Sequence, residues 1–298
     1  MELGIDIGGT NVKFGVVDGL DIIYKSDIPT GAKRQDNEIV ADIIEECRNI
    51  LSKYDAIDKI GIGSPGGIDG DNGIILGAAN INFKNTPICK MITDATGIPA
   101  RVGNDANCAV LGELYAGYGK EYKNVILVTL GTGVGGGIII DGKPYLGTRG
   151  DAGEIGHMII NCDGIKCGCG EDGCYEAYAS VTALIRQTKE AIDENPDCLM
   201  AKNAEKSGRV SGRTAFDAMR EGCPVGAKVV DTYLNYIATG LKSIYQIFRP
   251  DVIVLGGAIS NEGEYMTKPL TEKLGCKNVI IATSKLKNDI GIIGAAKC

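Results

Sequence analysis

The residue types that most clearly suggest chemistry are three closely spaced cysteines and the one histidine of the chain. Cys167, Cys169 and Cys174 form a Cys-x-Cys-x₄-Cys pattern, and His157 lies ten residues before the first of them. Three thiolates and one imidazole make a closed tetrahedral set for a structural Zn²⁺ ion. A lone histidine is more often a core or surface residue, so the role of His157 depends on the cysteines beside it. Cys162 lies in the same stretch but outside the pattern, and we interpret it as a bystander that could compete for the metal.

Three glycine-rich turns suggest phosphate binding, because glycine lets the backbone approach a polyphosphate and point N–H groups at it. The turns are Gly8-Gly9-Thr10, Gly131-Thr132-Gly133-Val134-Gly135 and Gly256-Gly257. None ends like a Walker A loop, and the strand predicted after Gly137 argues against a dinucleotide-binding turn, which needs a helix there. Tight hairpins are the alternative, but Thr10 and Thr132 in two matched turns favour phosphate. Glycine makes up 43 of 298 residues, about twice the usual share, and we expect these turns to account for the excess.

Asp6 places a carboxylate inside an otherwise apolar strand over residues 3–7. A charge buried there without a partner would be costly. A Mg²⁺ ion that bridges phosphate groups would supply the missing positive charge, which agrees with the glycine turn that follows. A buried ion pair with a lysine or an arginine is the alternative.

Composition and charge exclude several classes of protein. The 298 residues suffice for two domains, and 44% hydrophobic with 23% charged residues is typical of a globular chain with a real core. A net charge of −7 gives no attraction for nucleic acid or for an anionic membrane surface. The first residues do not resemble a signal peptide and no stretch predicts a membrane span, so we expect a cytoplasmic protein. In that reducing compartment, clustered cysteines indicate a metal site before disulfides.

The elements that must position these residues form two similar series. In the first half we predict strands over 3–7, 12–18, 21–28, 60–63 and 100–103, a helix over 37–54, and a helix that Asn104 caps and that runs to 115. In the second half we predict strands over 125–130, 138–141, 252–255 and 279–282, a glycine turn over 131–137, and a helix over Pro224–Phe248. Residues 5–19 and 128–142 align without a gap at an offset of 123 residues. The alignment indicates one supersecondary unit used twice, once in each domain.

An ordered set of motifs resembles the ROK family, which contains sugar kinases and sugar-responsive repressors. The motifs are Asp6-Ile7-Gly8-Gly9-Thr10, Gly103-Asn104-Asp105-Ala106-Asn107, residues 130–137 with Gly147 and Gly153-Glu154-Ile155-Gly156-His157, residues 167–176, and Leu255-Gly256-Gly257-Ala258. The resemblance covers essentially the whole chain. It implies an α/β actin-like ATPase (ribonuclease H-like) fold of two lobes, with ATP and a sugar in a cleft between them. We expect a small N-terminal lobe of residues 1–117 and a large C-terminal lobe of residues 118–298, with the end of the chain packing back on the first.

The resemblance also implies roles for single residues. It places five polar residues around the sugar: Asn104, Asp105, Glu154, His157 and Glu176. Gly67 and Asn80 are candidates for further sugar contacts, in the loops over 64–67 and 77–82. The resemblance assigns ATP to the residues of the three turns: Gly8, Gly9, Thr10, Gly131, Thr132, Gly133, Gly135, Gly256 and Gly257. Carboxylates suit sugar hydroxyls because they accept several hydrogen bonds, and His157 can bind zinc through one ring nitrogen while the other N–H donates to a hydroxyl.

Asp105 is the residue that we expect to act as general base. Phosphoryl transfer to an alcohol needs an acceptor for the hydroxyl proton. With the only histidine, His157, committed to zinc, a carboxylate is the remaining candidate. Helix capping is the alternative role for Asp105, but Asn104 already occupies the capping position.

Residues and resemblance together predict an ATP-dependent hexose kinase, most like the glucokinases of the family, that phosphorylates glucose at its 6-hydroxyl with Mg²⁺ and a structural Zn²⁺ ion. Kinases for fructose, mannose, allose, N-acetylmannosamine or N-acetylglucosamine share the motifs and remain alternatives. A repressor is disfavoured because it carries a helix-turn-helix domain ahead of the kinase-like part, and an actin-like ATPase scaffold would not explain Glu154, Glu176 or the cysteine loop. The resemblance implies a homodimer or a higher homo-oligomer. The residues after Gly291 predict only a short closing helix.

Overall fold

The computed structural model describes residues 1–78, 80–148 and 152–298. Across these residues it contains thirteen strands and ten α-helices. The strands are β1 (Glu2–Ile7), β2 (Asn11–Asp18), β3 (Asp21–Pro29), β4 (Lys59–Ser64), β5 (Gly67–Asp69), β6 (Ile74–Gly77), β7 (Lys84–Thr86), β8 (Ala100–Asn104), β9 (Val125–Leu130), β10 (Val134–Ile140), β11 (Lys143–Pro144), β12 (Val252–Gly256) and β13 (Ile280–Thr283). The helices are α1 (Asp36–Leu51), α2 (Ile88–Thr96), α3 (Asp105–Ala116), α4 (Glu176–Ala179), α5 (Val181–Glu194), α6 (Leu199–Ser207), α7 (Thr214–Arg220), α8 (Pro224–Phe248), α9 (Glu264–Leu274) and α10 (Ile290–Ala296). None of the described helices combines the length and the apolar character that crossing a membrane requires.

The first sheet has the strand order β3-β2-β1-β4-β8. Strands β1 to β3 pair in antiparallel fashion, whereas β4 runs parallel to β1 and β8 runs parallel to β4. Leu3, Ile5 and Ile7 of β1 are buried in the core of this sheet, as the apolar pattern predicted. Helix α1 covers the same core with Ile39 and Ile43, which lie four residues apart and therefore on one face of the helix.

The second sheet repeats this order as β11-β10-β9-β12-β13. Strand β12 runs parallel to β9 and to β13, in the same way that β4 runs parallel to β1 and β8. Strand β9 begins and ends 123 residues after β1, so the predicted duplication is present in the structure. One boundary differs, because β10 begins at Val134 and Gly135 lies in that strand instead of in a turn over 131–137. Ladder hydrogen bonds come from the backbone, so glycines can continue a strand wherever a neighbouring strand pairs with them.

The described chain divides into two compact units. The first contains Met1–Lys123, Gly137–Gly153 and Asn288–Cys298, and the second contains Asn124–Gly136 and Glu154–Lys287. The boundary that we expected at residue 117 lies inside the first unit, and both units are discontinuous in sequence. The first unit is discontinuous because α10 packs against α3 and β1, and because β11 lies beside α3.

Helix α10 packs directly against the backbone of the first sheet and of α3. A Cβ atom on Gly61 of β4 would lie 1.7 Å from the carbonyl oxygen of Ala295, and one on Gly294 would lie 1.6 Å from that of Cys108. Only glycine allows two backbones to approach so closely. Part of the glycine excess therefore serves the packing of α10, whereas we expected the three turns to account for it.

Three parallel strands of the first unit end at the same edge of its sheet. Gly63 of β4 pairs in register with Asp6 of β1 and with Gly103 of β8. In open α/β sheets, ligands usually bind outside the carboxyl ends of parallel strands. The Gly8 turn, the loop after Ser64 and the start of α3 all leave the sheet at this edge.

Candidate active site

Asn104 and Asp105 form the junction between β8 and α3. Asn104 caps the helix, since its side-chain oxygen accepts hydrogen bonds from the backbone N–H groups of Ala106 at 2.9 Å and Asn107 at 3.4 Å. Its side-chain nitrogen donates to the carbonyl oxygen of Gly66 at 3.2 Å. The predicted helix cap is confirmed, and it ties the loop after β4 to the start of α3.

Asp105 is the first residue of α3, and its side chain is exposed. The carboxylate oxygen Oδ1 accepts the backbone N–H of Ala106 at 2.8 Å. The N-terminal end of a helix is the positive end of its dipole, which attracts a negative charge. The helix therefore orients a carboxylate that remains accessible to a bound substrate.

Asp6 pairs with a lysine of the neighbouring strand. Its Oδ2 atom lies 3.2 Å from Nζ of Lys13, and 19% of the Asp6 side chain is exposed. This ion pair is the alternative that the sequence left open for Asp6. One carboxylate fits Mg²⁺ together with substrate phosphates and water, since Mg²⁺ seldom occupies an all-protein cage.

The thiol of Cys108 lies near both Asp6 and Asp105. Hydrogen bonding to Cys298, burial and the charges of these two carboxylates all raise the pKa of Cys108.

The Gly8 turn is held by hydrogen bonds that leave its central residue open. The N–H of Gly8 donates to the carbonyl oxygen of Asn11 at 3.0 Å. Thr30 fixes both ends, because its hydroxyl donates to the Gly8 carbonyl at 2.6 Å and its N–H donates to the Thr10 carbonyl at 2.9 Å. A Cβ atom on Gly9 would meet nothing within 4 Å, so a ligand can approach the backbone there. This geometry suits a phosphate group, which binds to closely approached backbone N–H groups.

The two further candidates for sugar contacts differ in position. Gly67 begins β5 and is exposed beside Gly66, whose carbonyl binds Asn104, so the structure brings Gly67 next to the capping residue. Asn80 is exposed at a bend, and among the described residues no hydrogen bond links it to this group. Its neighbour in the loop over 77–82, Ala79, lies outside the described residues.

In the second unit, the Gly131 turn lies against the start of α5. The N–H of Gly131 donates to the Gly133 carbonyl at 3.0 Å. The N–H of Val181 donates to the Gly131 carbonyl at 2.8 Å, and the hydroxyl of Thr182 donates to the Thr132 carbonyl at 2.7 Å. Helix α5 and these two residues were not predicted from the sequence. Ser180 lies directly before α5 and caps it. Serine is a common capping residue, so Ser180 was the signal in the sequence that could have located the start of this helix.

A second glycine turn of the same unit touches the first. Gly257 follows Gly256, the last residue of β12, and has a φ of 83°, in the left-handed region that favours glycine. A Cβ atom on Gly257 would lie 2.2 Å from the carbonyl oxygen of Leu130, the last residue of β9. Because β9 and β12 are adjacent parallel strands, both turns leave the same edge of the sheet. The structure therefore brings two of the three predicted phosphate turns together.

Glu176 connects the Gly131 turn to the cysteine loop. Its Oε2 atom accepts the N–H of Val134 at 2.9 Å, and a Cβ atom on Gly133 would lie 2.2 Å from the same oxygen. The thiol of Cys167 donates to its Oε1 atom at 3.7 Å. The family resemblance implies that Glu176 binds the sugar, and in the structure both of its carboxylate oxygens already contact protein groups.

Tyr175 anchors the segment that carries Glu176. Its ring is fully buried against Gly240 of α8, where a Cβ atom would lie 2.4 Å from the ring. Its hydroxyl donates to the carbonyl oxygen of Ile237 at 3.0 Å, which satisfies the polar atom of this buried side chain. The N–H of Tyr175 donates to the carbonyl oxygen of Met158 at 2.7 Å. These contacts fix the position of Glu176 beside the long helix.

His157, Cys167, Cys169 and Cys174 form one cluster in the structure. Their candidate ligand atoms all lie within 4.8 Å of one another. Sγ of Cys169 lies 3.6 Å from Sγ of Cys174, and Nδ1 of His157 lies 3.9 Å from Sγ of Cys167. Tetrahedral Zn²⁺ with Zn–S distances of about 2.3 Å places its ligand atoms roughly 3.5–4 Å apart, so the donor set and its spacing fit zinc. Cys162 is exposed and does not belong to the cluster found among the described residues.

The loop that carries the cluster has little regular secondary structure. The N–H of Cys167 donates to the Glu171 carbonyl at 2.8 Å, and the N–H of Ile160 donates to the Gly173 carbonyl at 2.9 Å. Burial raises the pKa of Cys174 to about 12, so a metal ion has to displace the proton of this thiol when it binds. Four protein ligands leave no open coordination position, so an ion here would hold the loop and would not contact a substrate.

Glu154 and His157 are exposed polar groups beside the cluster. Nε2 of His157 lies 3.8 Å from Oε2 of Glu154, while its Nδ1 atom faces Cys167. One ring nitrogen is therefore directed at the cluster and the other at a carboxylate. Because 40% of the His157 side chain and 62% of the Glu154 side chain are exposed, both groups remain accessible to a polar ligand.

Comparison with known proteins gives matches over nearly the whole chain. The sequence matches the ROK family over residues 2–298. A glucokinase from Halalkalibacterium halodurans is 34% identical over 306 residues, which span 98% of this chain and 92% of the relative. A beta-glucoside kinase from Listeria innocua is 30% identical over 303 residues, which span 97% of this chain and 94% of the relative.

The same similarity extends to three-dimensional structure. A crystal structure of a ROK family glucokinase from Streptomyces griseus, in complex with glucose and AMPPNP, has a TM-score of 0.88 at 32% identity, over 99% of this chain and 98% of that chain. The resemblance inferred from the motifs and the expected actin-like ATPase fold are confirmed by these matches. The chain belongs to the ROK family.

Proposed function

We propose that this chain is an ATP-dependent hexose kinase that transfers the γ-phosphoryl group of ATP to the 6-hydroxyl of glucose. The observation that carries this proposal is the exposed carboxylate of Asp105, oriented by the start of α3 at the edge from which the Gly8 turn also leaves. Phosphoryl transfer to an alcohol requires positioned reactants, positive charge near the phosphate and an acceptor for the proton. Asp105 supplies the acceptor.

The relatives support both the reaction and the sugar. The relative from Halalkalibacterium halodurans is named a glucokinase, and the structure from Streptomyces griseus contains glucose and AMPPNP, an analogue of ATP. The relative from Listeria innocua is named a beta-glucoside kinase, so similarity alone does not assign the sugar. Glucose is the substrate that the proposal commits to, and a comparison of hexoses tests it.

In the proposed reaction, Asp105 accepts the proton of the 6-hydroxyl as the hydroxyl oxygen attacks the γ-phosphorus. The N–H of Ala106 and the cap formed by Asn104 hold the carboxylate in one orientation. A fixed orientation matters because much of the rate gain in such reactions comes from correct positioning of the reacting groups.

The glycine turns bind ATP in this proposal. The residues involved are Gly8, Gly9, Thr10, Gly131, Thr132 and Gly133 for the phosphates, with Gly135 directly after the second turn, and Gly256 and Gly257 on the adenosine side. Mg²⁺ that arrives with ATP supplies positive charge to the transferring phosphate. Asp6 is the residue that would hold it, and Lys13 adds a second positive charge at the same place.

Glu154, His157 and Glu176 bind sugar hydroxyls in this proposal, together with Asn104, Gly67 and Asn80. A carboxylate oxygen accepts more than one hydrogen bond, so Glu176 can bind a hydroxyl while it holds the N–H of Val134. The cluster of His157 and three cysteines would bind Zn²⁺, whose role is to keep the loop and therefore these side chains in position.

Replacing Asp105 by asparagine tests the proposed base. We expect Asp105→Asn to lower kcat by roughly 10²–10⁴, the usual contribution of a general base, while the KM for glucose stays close to that of the wild type. The measurement is ADP release in a coupled assay, with glucose binding followed by calorimetry. Glu264→Gln is a matched control, because Glu264 is also an exposed acid at the first position of a helix and should retain full activity. Undiminished turnover of Asp105→Asn would exclude this residue as the base.

The choice of sugar is tested with a panel of hexoses. We expect kcat/KM to be highest for glucose when fructose, mannose, allose, N-acetylmannosamine and N-acetylglucosamine are supplied with ATP and Mg²⁺. A higher value for another sugar would reassign the substrate and keep the reaction. ATP hydrolysis at the same rate with and without any sugar would contradict the kinase proposal itself.

A further inference from the structure

Two cysteines of the first unit lie in contact behind the proposed general base. Sγ of Cys108, in α3, is 3.4 Å from Sγ of Cys298, which follows α10. A Cβ atom on Gly103 would lie 2.8 Å from the Cys298 sulfur and 3.3 Å from the Cys108 sulfur. Both sulfurs therefore pack on the backbone immediately before Asn104 and Asp105.

The two thiols have different environments. Cys108 is fully buried, whereas Cys298 is half-buried. The hydrogen bond from Cys108 and the positive charges of Lys59 and Arg101 lower the pKa of Cys298, against the opposing effect of burial. The same hydrogen bond and burial raise the pKa of Cys108. Cys298 is therefore the more reactive nucleophile, and Cys108 is a protonated thiol held within reach of it.

We propose that Cys108 and Cys298 form a modification site that reacts with low-molecular-weight disulfides and closes to a reversible Cys108–Cys298 disulfide. First, the Cys298 thiolate attacks one sulfur of the small disulfide, forms a mixed disulfide and releases one small thiolate. Cys108 then loses its proton and attacks the Cys298 sulfur, which releases the second small thiolate. Overall, two protein thiols are oxidised, one small disulfide is reduced to two thiols, and these thiols take up the two protons.

Closing the disulfide requires a small movement near Asp105. An S–S bond is about 2.05 Å long. The two sulfurs are 3.4 Å apart, so both side chains must rotate toward each other, and we infer that the first turn of α3 or the residues after α10 move with them. The sulfurs already contact Gly103, so the movement reaches the junction that carries Asp105. The expected loss of turnover rests on the proposed function of Asp105 as the general base. A displacement of about 1 Å at a reacting group can lower turnover about 10²-fold.

The test treats the full, zinc-loaded chain with oxidised glutathione, alkylates the remaining thiols and maps disulfides by mass spectrometry. We expect a Cys108–Cys298 link, a fall in kcat of about tenfold to a hundredfold, and recovery after reduction with dithiothreitol. Cys298→Ser should show neither the link nor the reversible fall. Cys89→Ser and Cys162→Ser are matched controls, one at a buried and one at an exposed thiol, and should respond like the wild type.

Three outcomes would overturn the proposal. The first is a link from Cys298 to Cys89, or a mixed disulfide on Cys298 that never closes. The second is a closed Cys108–Cys298 link that leaves kcat unchanged. The third is an equal loss of activity in Cys298→Ser, which would assign the effect to other thiols, such as those of the metal cluster.

Hydrogen exchange separates this proposal from the proposed function. Closure should change the exchange of backbone N–H groups in residues 103–107, whether or not the chain has kinase activity. A chain that forms the link and shows this change, but has no kinase activity before oxidation, would refute the kinase proposal and keep the modification site. Unchanged exchange in a linked chain would refute the inferred movement.

Discussion

Replacing Gly61 by alanine would test the close packing of α10 on the first sheet. A Cβ atom at this position would lie 1.7 Å from the carbonyl oxygen of Ala295 and 2.6 Å from its carbonyl carbon. Ordinary contacts of a Cβ atom begin at 3.4 Å, so the separation would have to double. The obstacle is backbone, and it cannot rotate away as a flexible side chain would.

The expected cost follows from how tightly α10 is held. Ile292, Ile293 and Ala295 are almost completely buried, so the helix cannot shift without disturbing its other contacts. Overpacking in a core costs about 1–3 kcal/mol, and a clash with backbone belongs at the upper end, about 3 kcal/mol. For a domain of roughly 150–250 residues, each kcal/mol lowers Tm by about 2–4 °C, so we expect Gly61→Ala to lower Tm by about 6–12 °C.

The assay is thermal unfolding followed by far-ultraviolet circular dichroism, since the chain contains no tryptophan for fluorescence. Gly9→Ala is the matched control in the same unit, because a Cβ atom there would meet nothing within 4 Å. We expect that control to change stability by less than about 0.5 kcal/mol, as for most surface substitutions. Equal Tm values for Gly61→Ala and Gly9→Ala would refute the inferred contact between α10 and β4.

The metal cluster and Glu176 give two further predictions. We expect about one tightly bound Zn²⁺ ion per chain, which Cys174→Ser abolishes and Cys162→Ser retains; metal analysis after dialysis measures this, and equal zinc contents in the two variants would contradict the cluster. We expect Glu176→Gln to raise the KM for ATP by roughly 5- to 10-fold, because the Val134 N–H exchanges a charged acceptor worth about 1.5–3 kcal/mol for a neutral one worth about 0.5–1.5 kcal/mol. Steady-state kinetics would show whether the bond to Glu176 holds the Gly131 turn. The control is Glu171→Gln, because Glu171 is an exposed acid of the same loop.

Much of the fold was predictable where apolar runs end at residues with strong local preferences. Strand β9 has the predicted bounds, since its apolar residues stop at Gly131. Helix α8 also has the predicted bounds, because Pro224 starts it and a long apolar pattern follows. The cap at Asn104 was predictable for the same local reason. The repeat at a constant offset predicted one supersecondary unit in each half, and the structure places these units in two sheets that share one strand order.

Other features depend on contacts between residues far apart in the sequence. The need for glycine at position 61 arises from Ala295, and nothing near Gly61 in the sequence indicates this partner. The bond from Glu176 to the Val134 N–H depends on the path of the intervening loop. The small sheet of β5, β6 and β7 was not predicted either, because strands of three or four residues carry too few positions for a periodic pattern.

The discontinuity of the first unit has a consequence for the way the chain folds during synthesis. Asn288–Cys298 belongs to this unit but leaves the ribosome after the whole of Glu154–Lys287. Until it emerges, the parts of β1, β4 and α3 that α10 covers remain exposed. Contacts over so long a stretch of chain also form slowly, because closing the loop between them costs entropy. The unit that begins the chain is therefore the one that completes its folding last.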